Sequence, residues 1–139
     1  MTGSDNTAFT IELGSFGYKY GEERGELVFD LRFLPNPYYV DSLKPLSGKD
    51  MACANYVLNF PAAQKTLQLL KELVLTQVES FRKQGQTGIK VRLGCTGGRH
   101  RSVALVEALA KAMEVEVDAA GTAVSVIHRD IDHYSLEEE

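Results

Sequence analysis

Ile89-Lys90-Val91-Arg92-Leu93-Gly94, followed by Cys95-Thr96-Gly97-Gly98-Arg99-His100-Arg101-Ser102 and then by Val106, Leu109, Ala110 and Met113 at helical spacing, decides the fold. Ile89, Val91 and Leu93 alternate with Lys90 and Arg92, the period of a half-buried strand, and Gly94 ends it. Apolar residues three and four apart then predict a helix starting at Arg101 or Ser102. Ala123–Ile127 reads as the next strand, with Val124 and Val126 on one face. A strand–helix–strand unit of this length predicts two parallel strands.

Working outward, Phe9, Ile11 and Leu13 alternate with Thr10 and Glu12 as a first strand. Leu27–Leu34 reads as another, with Phe29, Leu31 and Phe33 on one face, Asp30 and Arg32 on the other, and Pro35 and Pro37 as its stop. A long helix is predicted over 62–83, where Leu67, Leu70, Val74, Val78 and Phe81 make one stripe before Gln84-Gly85. The stretch 44–60 is ambiguous; Ser47 and Asp50 are candidates to cap a short helix through Asn55–Phe60. This order predicts a single α/β domain over residues 9–131, its mostly parallel or mixed four-stranded sheet flanked by helices. The connection 14–25 leaves the first two strands open between a parallel pair and a hairpin. Residues 1–8 and the acidic 132–139 are expected to be flexible ends.

The composition fits a soluble globular domain: 139 residues, 44% hydrophobic and 24% charged. No apolar run is long enough to span a bilayer, the polar N-terminus is no signal peptide, and two cysteines make a poor disulfide framework. Cytoplasm is the expected compartment. A net charge of −4 argues against wrapping nucleic acid by bulk electrostatics. Yet Lys90, Arg92, Arg99 and Arg101 fall in one stretch without an acid, whereas the chain ends Glu137-Glu138-Glu139. A small positive site on an acidic body predicts a small anion as ligand.

The loop Cys95–Ser102 supplies the chemistry for that anion. Glycines at 97 and 98 let backbone N–H groups approach a phosphate, and the helix start adds unpaired donors and a favourable dipole. Thr96 and Ser102 add hydroxyls, His100 and Arg99 further donors, and Arg101 a planar fork. No Walker A spacing is present. The same residues also fit Cys-x-x-Gly-x-x-Arg-Ser, the phosphate loop of cysteine-dependent phosphatases, with Cys95 as nucleophile and Arg101 holding the phosphoryl oxygens. Against that, Gly94 stands where those enzymes carry histidine, and the sequence shows no general-acid loop, with Asp30 and Asp50 no more than candidates. The plainest alternative makes Cys95 a small buried residue at a strand end.

Further motifs support a family. Ser15-Phe16-Gly17-Tyr18-Lys19-Tyr20-Gly21, Phe29-Asp30-Leu31-Arg32-Phe33-Leu34-Pro35-Asn36-Pro37, Leu46-Ser47-Gly48-Lys49-Asp50, the loop itself and His128-Arg129-Asp130 follow in that order. Over residues 9–131 the chain resembles the C-terminal domain of the RNase adapter family RapZ, also known as YvcJ-like nucleotide-binding proteins. The resemblance implies an α/β module similar to part of phosphofructokinase, with no catalytic activity and no cofactor. It implies a phosphorylated ligand such as glucosamine 6-phosphate, small RNA and protein partners, and a homo-oligomer. It also implies that this chain begins where a Walker-type N-terminal domain would end. Two departures stand out: the acidic C-terminus replaces a basic one, which argues against RNA, and Tyr38 replaces a histidine after Asn-Pro.

Ligands of open α/β sheets bind at the carboxyl ends of strands, so Asp30, Arg32 and Asn36 are candidate pocket residues, with Tyr18 and Lys19 as a wall. His128 and Arg129 belong to the same end, and His100 and His128 are expected to meet there as phosphate donors. Histidines at 100, 128 and 133 lack metal-ligand spacing. Tyr38 and Tyr39 form a candidate partner surface.

Overall fold

A computed structural model describes residues 8–117 and 121–133. The elements run β1 (Phe9–Gly17), β2 (Leu27–Asp30), α1 (Met51–Leu58), α2 (Pro61–Lys83), β3 (Gly88–Cys95), α3 (Arg101–Val117) and β4 (Thr122–His128), with 3-10 turns at Tyr18–Tyr20 and Pro37–Tyr39. The single sheet has the order β2-β3-β1-β4 and every pairing is parallel. Leu13, Val91 and Leu27 stand in register across β1, β3 and β2. The expected ends at 1–8 and 132–139 lie, apart from Ala8, Asp132 and His133, outside the described residues.

Crossovers between parallel strands are right-handed. The connections β2→β3 and β3→β4 move the same way across the sheet, so α1, α2 and α3 share one face. There Ile11, Leu13, Leu70, Val74, Val91, Leu93, Leu105 and Leu109 build the core. The connection β1→β2 moves the other way and crosses the opposite face. A Cβ on Gly25 would lie 2.5 Å from the Lys90 carbonyl, and Glu23 reaches Arg92 at 3.2 Å. Arg92 is thereby buried on the sheet, paired with Glu12 and Glu23.

The structure corrects four expectations. First, β1 runs on to Gly17, because Gly14–Gly17 keep pairing with Arg92–Cys95. Second, β1 and β2 are neither a parallel pair nor a hairpin, since β3 lies between them. Third, β2 stops at Asp30, whose carboxylate accepts the Arg32 N–H at 2.8 Å and turns the chain. Leu31 and Leu34 then enter the core three residues apart, and Phe33 is left exposed. Fourth, the short helix spans Met51–Leu58; Asp50 stands at its N-cap position, as one of the two candidates, but its carboxylate accepts the Ser47 backbone N–H and makes no hydrogen bond to the helix. The long helix follows its stripe: Leu70, Val74 and Val78 are buried and Leu67 and Phe81 pack beside them.

Candidate anion site at the carboxyl ends of the strands

β1 and β3 are neighbours whose following connections leave to opposite faces, the topology that opens a ligand crevice at strand ends. At that point Gly17 pairs with Cys95 and the Lys19 N–H donates to the Thr96 carbonyl at 3.1 Å. Gly98 takes a φ of +72°, which favours glycine. A Cβ there would stand 2.5 Å from the Gly17 nitrogen, so the two backbones touch only because both residues lack side chains.

Within the loop, the Ser102 N–H donates to Cys95 Sγ at 3.4 Å and the thiol meets the Ser102 hydroxyl at 3.2 Å. Cys95 is fully buried, and both cysteines are free thiols. Arg101 is 4% exposed. Its Nη1 donates to the carbonyls of Arg32 and Leu34 at 3.0 and 3.1 Å, and its Nη2 to Thr96 Oγ1 at 3.4 Å. Its buried Nε has no hydrogen-bond partner. A buried charged donor without an acceptor is costly, and an anion is the kind of partner that would satisfy this atom. The N–H groups of Gly97 and Gly98 also find no acceptor among the described residues.

Beside the loop, Arg32 grips Asp30 through Nε and Nη2, the latter at 2.7 Å, and lies 3.9 Å from the Tyr18 ring centroid. The Arg32 hydrogen bond holds the Asp30 carboxyl below its usual range despite partial burial, and the Arg101 charge adds to that. The same hydrogen bond raises the Arg32 pKa. Burial, then the Asp30 charge, pushes the Tyr18 phenol up, so it remains a neutral donor at neutral pH.

The remaining sequence candidates turn elsewhere. Arg99 donates to the carbonyls of Leu46, Pro45 and Ile131, and His100 Nε2 meets the Lys44 carbonyl at 3.1 Å. They clamp the segment 44–48 onto the loop, where Gly48 lies so close that a Cβ would meet the Ala104 nitrogen at 2.4 Å. His100 and His128 therefore do not converge as phosphate donors: the His128 ring joins Ser15 Oγ at 2.6 Å to Glu107 at 2.7 Å. Arg129 is spent on Glu23, Asp130 and the carbonyls of Gly17 and Gly21. Asn36 accepts the Tyr38 N–H and caps its turn, and the Lys19 ammonium lies 5.4 Å from the Tyr20 ring centroid. Sequence reasoning passed over Glu23 and Glu107, and quoted Ser15 and Asp130 within motifs without giving either a role. The signal for Ser15 was a hydroxyl two residues after Leu13, on a core-facing strand position; Asp130 is 2% exposed and accepts the Gly17 N–H at 2.8 Å.

The model of the RapZ C-terminal domain matches residues 9–132, nearly the whole described fold. The chain belongs to this family. The RapZ C-terminal domain here is 44% identical over 128 residues to a nucleotide-binding protein of Bacillus licheniformis, covering 91% of this chain and 42% of that one. It is 41% identical to a nucleotide-binding protein of Mycolicibacterium paratuberculosis (93% and 42% covered) and 40% identical to one of Listeria monocytogenes (91% and 42%). The chain thus spans about 42% of the length of these curated relatives. Among the described residues no helix is long and apolar enough to cross a membrane, and no group of three or more His, Cys, Asp or Glu residues is placed to hold a metal ion.

Proposed function

We propose that this RapZ C-terminal domain is a non-catalytic regulatory module of the cytoplasm. It binds a phosphorylated small molecule, a phosphosugar such as glucosamine 6-phosphate or a nucleotide, at the Cys95–Ser102 loop. The observation that carries the reading is the buried, unpartnered Nε of Arg101 beside the donor-rich glycine turn. A phosphoryl oxygen there satisfies the guanidinium with a charge-assisted bond. Gly97, Gly98 and Thr96 offer further donors, with Arg32 and Tyr18 at the rim. A thermal-shift series of glucosamine 6-phosphate, nucleotides, sulfate and inorganic phosphate tests this, because a ligand of the folded state raises the melting temperature. No shift with any of them would remove the reading.

The alternative is a phosphatase built on Cys95, favoured by the Ser102 N–H that donates to its sulfur. Three features weigh against it. The thiol is fully buried. A side chain at position 94, where phosphatases carry histidine, would collide with the Phe16 and Tyr18 rings at 2.5 and 2.7 Å. Asp30, depressed by Arg32, is a poor proton donor at neutral pH, and Asp50 is engaged by Ser47. The expected turnover of an aryl phosphate is that of buffer; turnover abolished by Cys95→Ser would reverse the ranking. Protein partners and weak RNA binding complete the proposal, with the Tyr38–Tyr39 pair, Tyr39 72% exposed, as the contact surface.

A further inference from the structure

α1 and α3 flank a groove of about 360 Å³, and none of its lining residues belongs to the Cys95–Ser102 turn. α1 contributes Met51, Ala54, Asn55 and Leu58, and α3 contributes Ala104, Glu107, Ala108 and Lys111. Both sets follow the spacing i, i+3, i+4 and i+7, which is one face of a helix. α1 buries its other face through Cys53 and Val57. Its groove side stays open, with Met51 78% exposed and Asn55 exposed beside it. Apart from Asn55, Glu107 and Lys111, these stripes are apolar.

The positive charges sit at the two ends. A Cβ on Gly48 would lie 2.4 Å from the Ala104 nitrogen, which puts Lys49 at that end of the groove. Lys111 stands seven residues further along α3, roughly 10 Å away. Both lysines are exposed, and neither ammonium has an acceptor among the described residues. Glu107 stands between them, but its carboxylate is held by the His128 ring at 2.7 Å. Two uncommitted positive charges thus bracket an apolar strip.

We propose that this groove receives an amphipathic acidic helix of a partner protein, packed between α1 and α3. Side chains seven residues apart on such a helix share one face and stand roughly 10 Å apart, so two carboxylates of the partner reach Lys49 and Lys111 together. Apolar side chains three and four residues after the first carboxylate then fall on Ala104, Ala108 and Leu58. The flexible thioether of Met51 adapts to the side chain it meets. A small dicarboxylate is too short to bridge both ends, and a polynucleotide would leave the apolar strip unfilled. Nothing in this fit depends on what the Cys95–Ser102 turn binds.

Magnetic-resonance titration of the isotope-labelled full chain tests this, with a synthetic Ala-rich peptide of roughly 15 residues, long enough to be helical in water. The peptide carries two glutamates seven residues apart, and leucines three and four residues after the first. The largest amide shifts should lie along α1 and α3, and added salt should weaken the binding. Lys49→Glu combined with Lys111→Glu should weaken it about ten-fold or more. Circular dichroism should be unchanged, because both side chains are exposed. The double variant should instead accept the same peptide with lysines in place of the glutamates. No shifts with the acidic peptide, shifts centred on the Cys95–Ser102 turn, or equal binding by the double variant would overturn the proposal. So would displacement of the peptide by glutarate, which would make the groove a small-molecule site. Groove signals that move without peptide, on dilution or after Glu137→Gln, Glu138→Gln and Glu139→Gln, would give the groove to a second copy or to the chain's own end, and overturn it too.

Discussion

At the residue scale the site turns on side chains that are held, not merely present. Arg101 is fixed by two carbonyls after β2 and by Thr96, leaving one buried donor unmatched. Losing that donor to a phosphate should cost roughly 1.5–3 kcal/mol of affinity, the range of a charged hydrogen bond. Arg101→Lys, which keeps the charge but not the fork, is expected to lose most of it. Asp30 makes a separate prediction about pH. Its folded pKa is depressed, so its contribution to stability is present above the unfolded value near 3.9 and is lost as pH falls through the lowered folded one. The pair is about half exposed, so the effect is small and fades with salt. Denaturant titrations of wild type and Asp30→Asn should differ near neutral pH and converge at acid pH. A difference that grows on acidification would refute this assignment.

At the scale of elements, the contact between the end of β1 and the glycine turn fixes the shape of the loop. Gly98→Ala combines a positive φ with a Cβ 2.5 Å from the Gly17 nitrogen. It should cost at least about 1–3 kcal/mol of stability, the usual cost of overpacking, read from the denaturation midpoint. Gly85→Ala, also at positive φ but in open space, should cost less. Legibility in the sequence follows the same division. Alternation revealed β1, β3 and β4, and the stripe through Leu70, Val74 and Val78 revealed α2, because those patterns are local. The end of β2 was hidden: Leu31 and Phe33 continue the alternation, and only the Asp30 carboxylate bonding the Arg32 N–H shows that the chain turns. The strand order was hidden too, since β1 and β2 neighbour β3 and not each other. In the site, the loop and its glycines were legible as a motif. The direction of Arg99, His100 and Arg129 was not, because their acceptors are carbonyls and acids far away in sequence, such as Lys44, Ile131 and Glu23.

At the scale of the whole molecule, charge placement governs partners. The chain carries a net −4, and Arg92, Arg99, Arg101 and Arg129 are committed to internal acids or carbonyls. Few cations remain gathered around the loop to release counterions from a polynucleotide, so RNA binding should be weak at physiological salt, with a shallow salt dependence. A filter-binding titration checks this; submicromolar binding to a structured small RNA would show that assembly of several copies outweighs net charge. The central claim is that a phosphoryl group sits on Arg101 in the Cys95–Ser102 turn. Calorimetric titration of wild type and Arg101→Lys with glucosamine 6-phosphate, a nucleoside monophosphate and unphosphorylated glucosamine tests it most directly. Wild type should bind at least one phosphorylated compound and not glucosamine, with affinity reduced ten-fold or more in Arg101→Lys, about 1.4 kcal/mol. Undiminished binding by a folded Arg101→Lys, or equal binding of glucosamine, would contradict it.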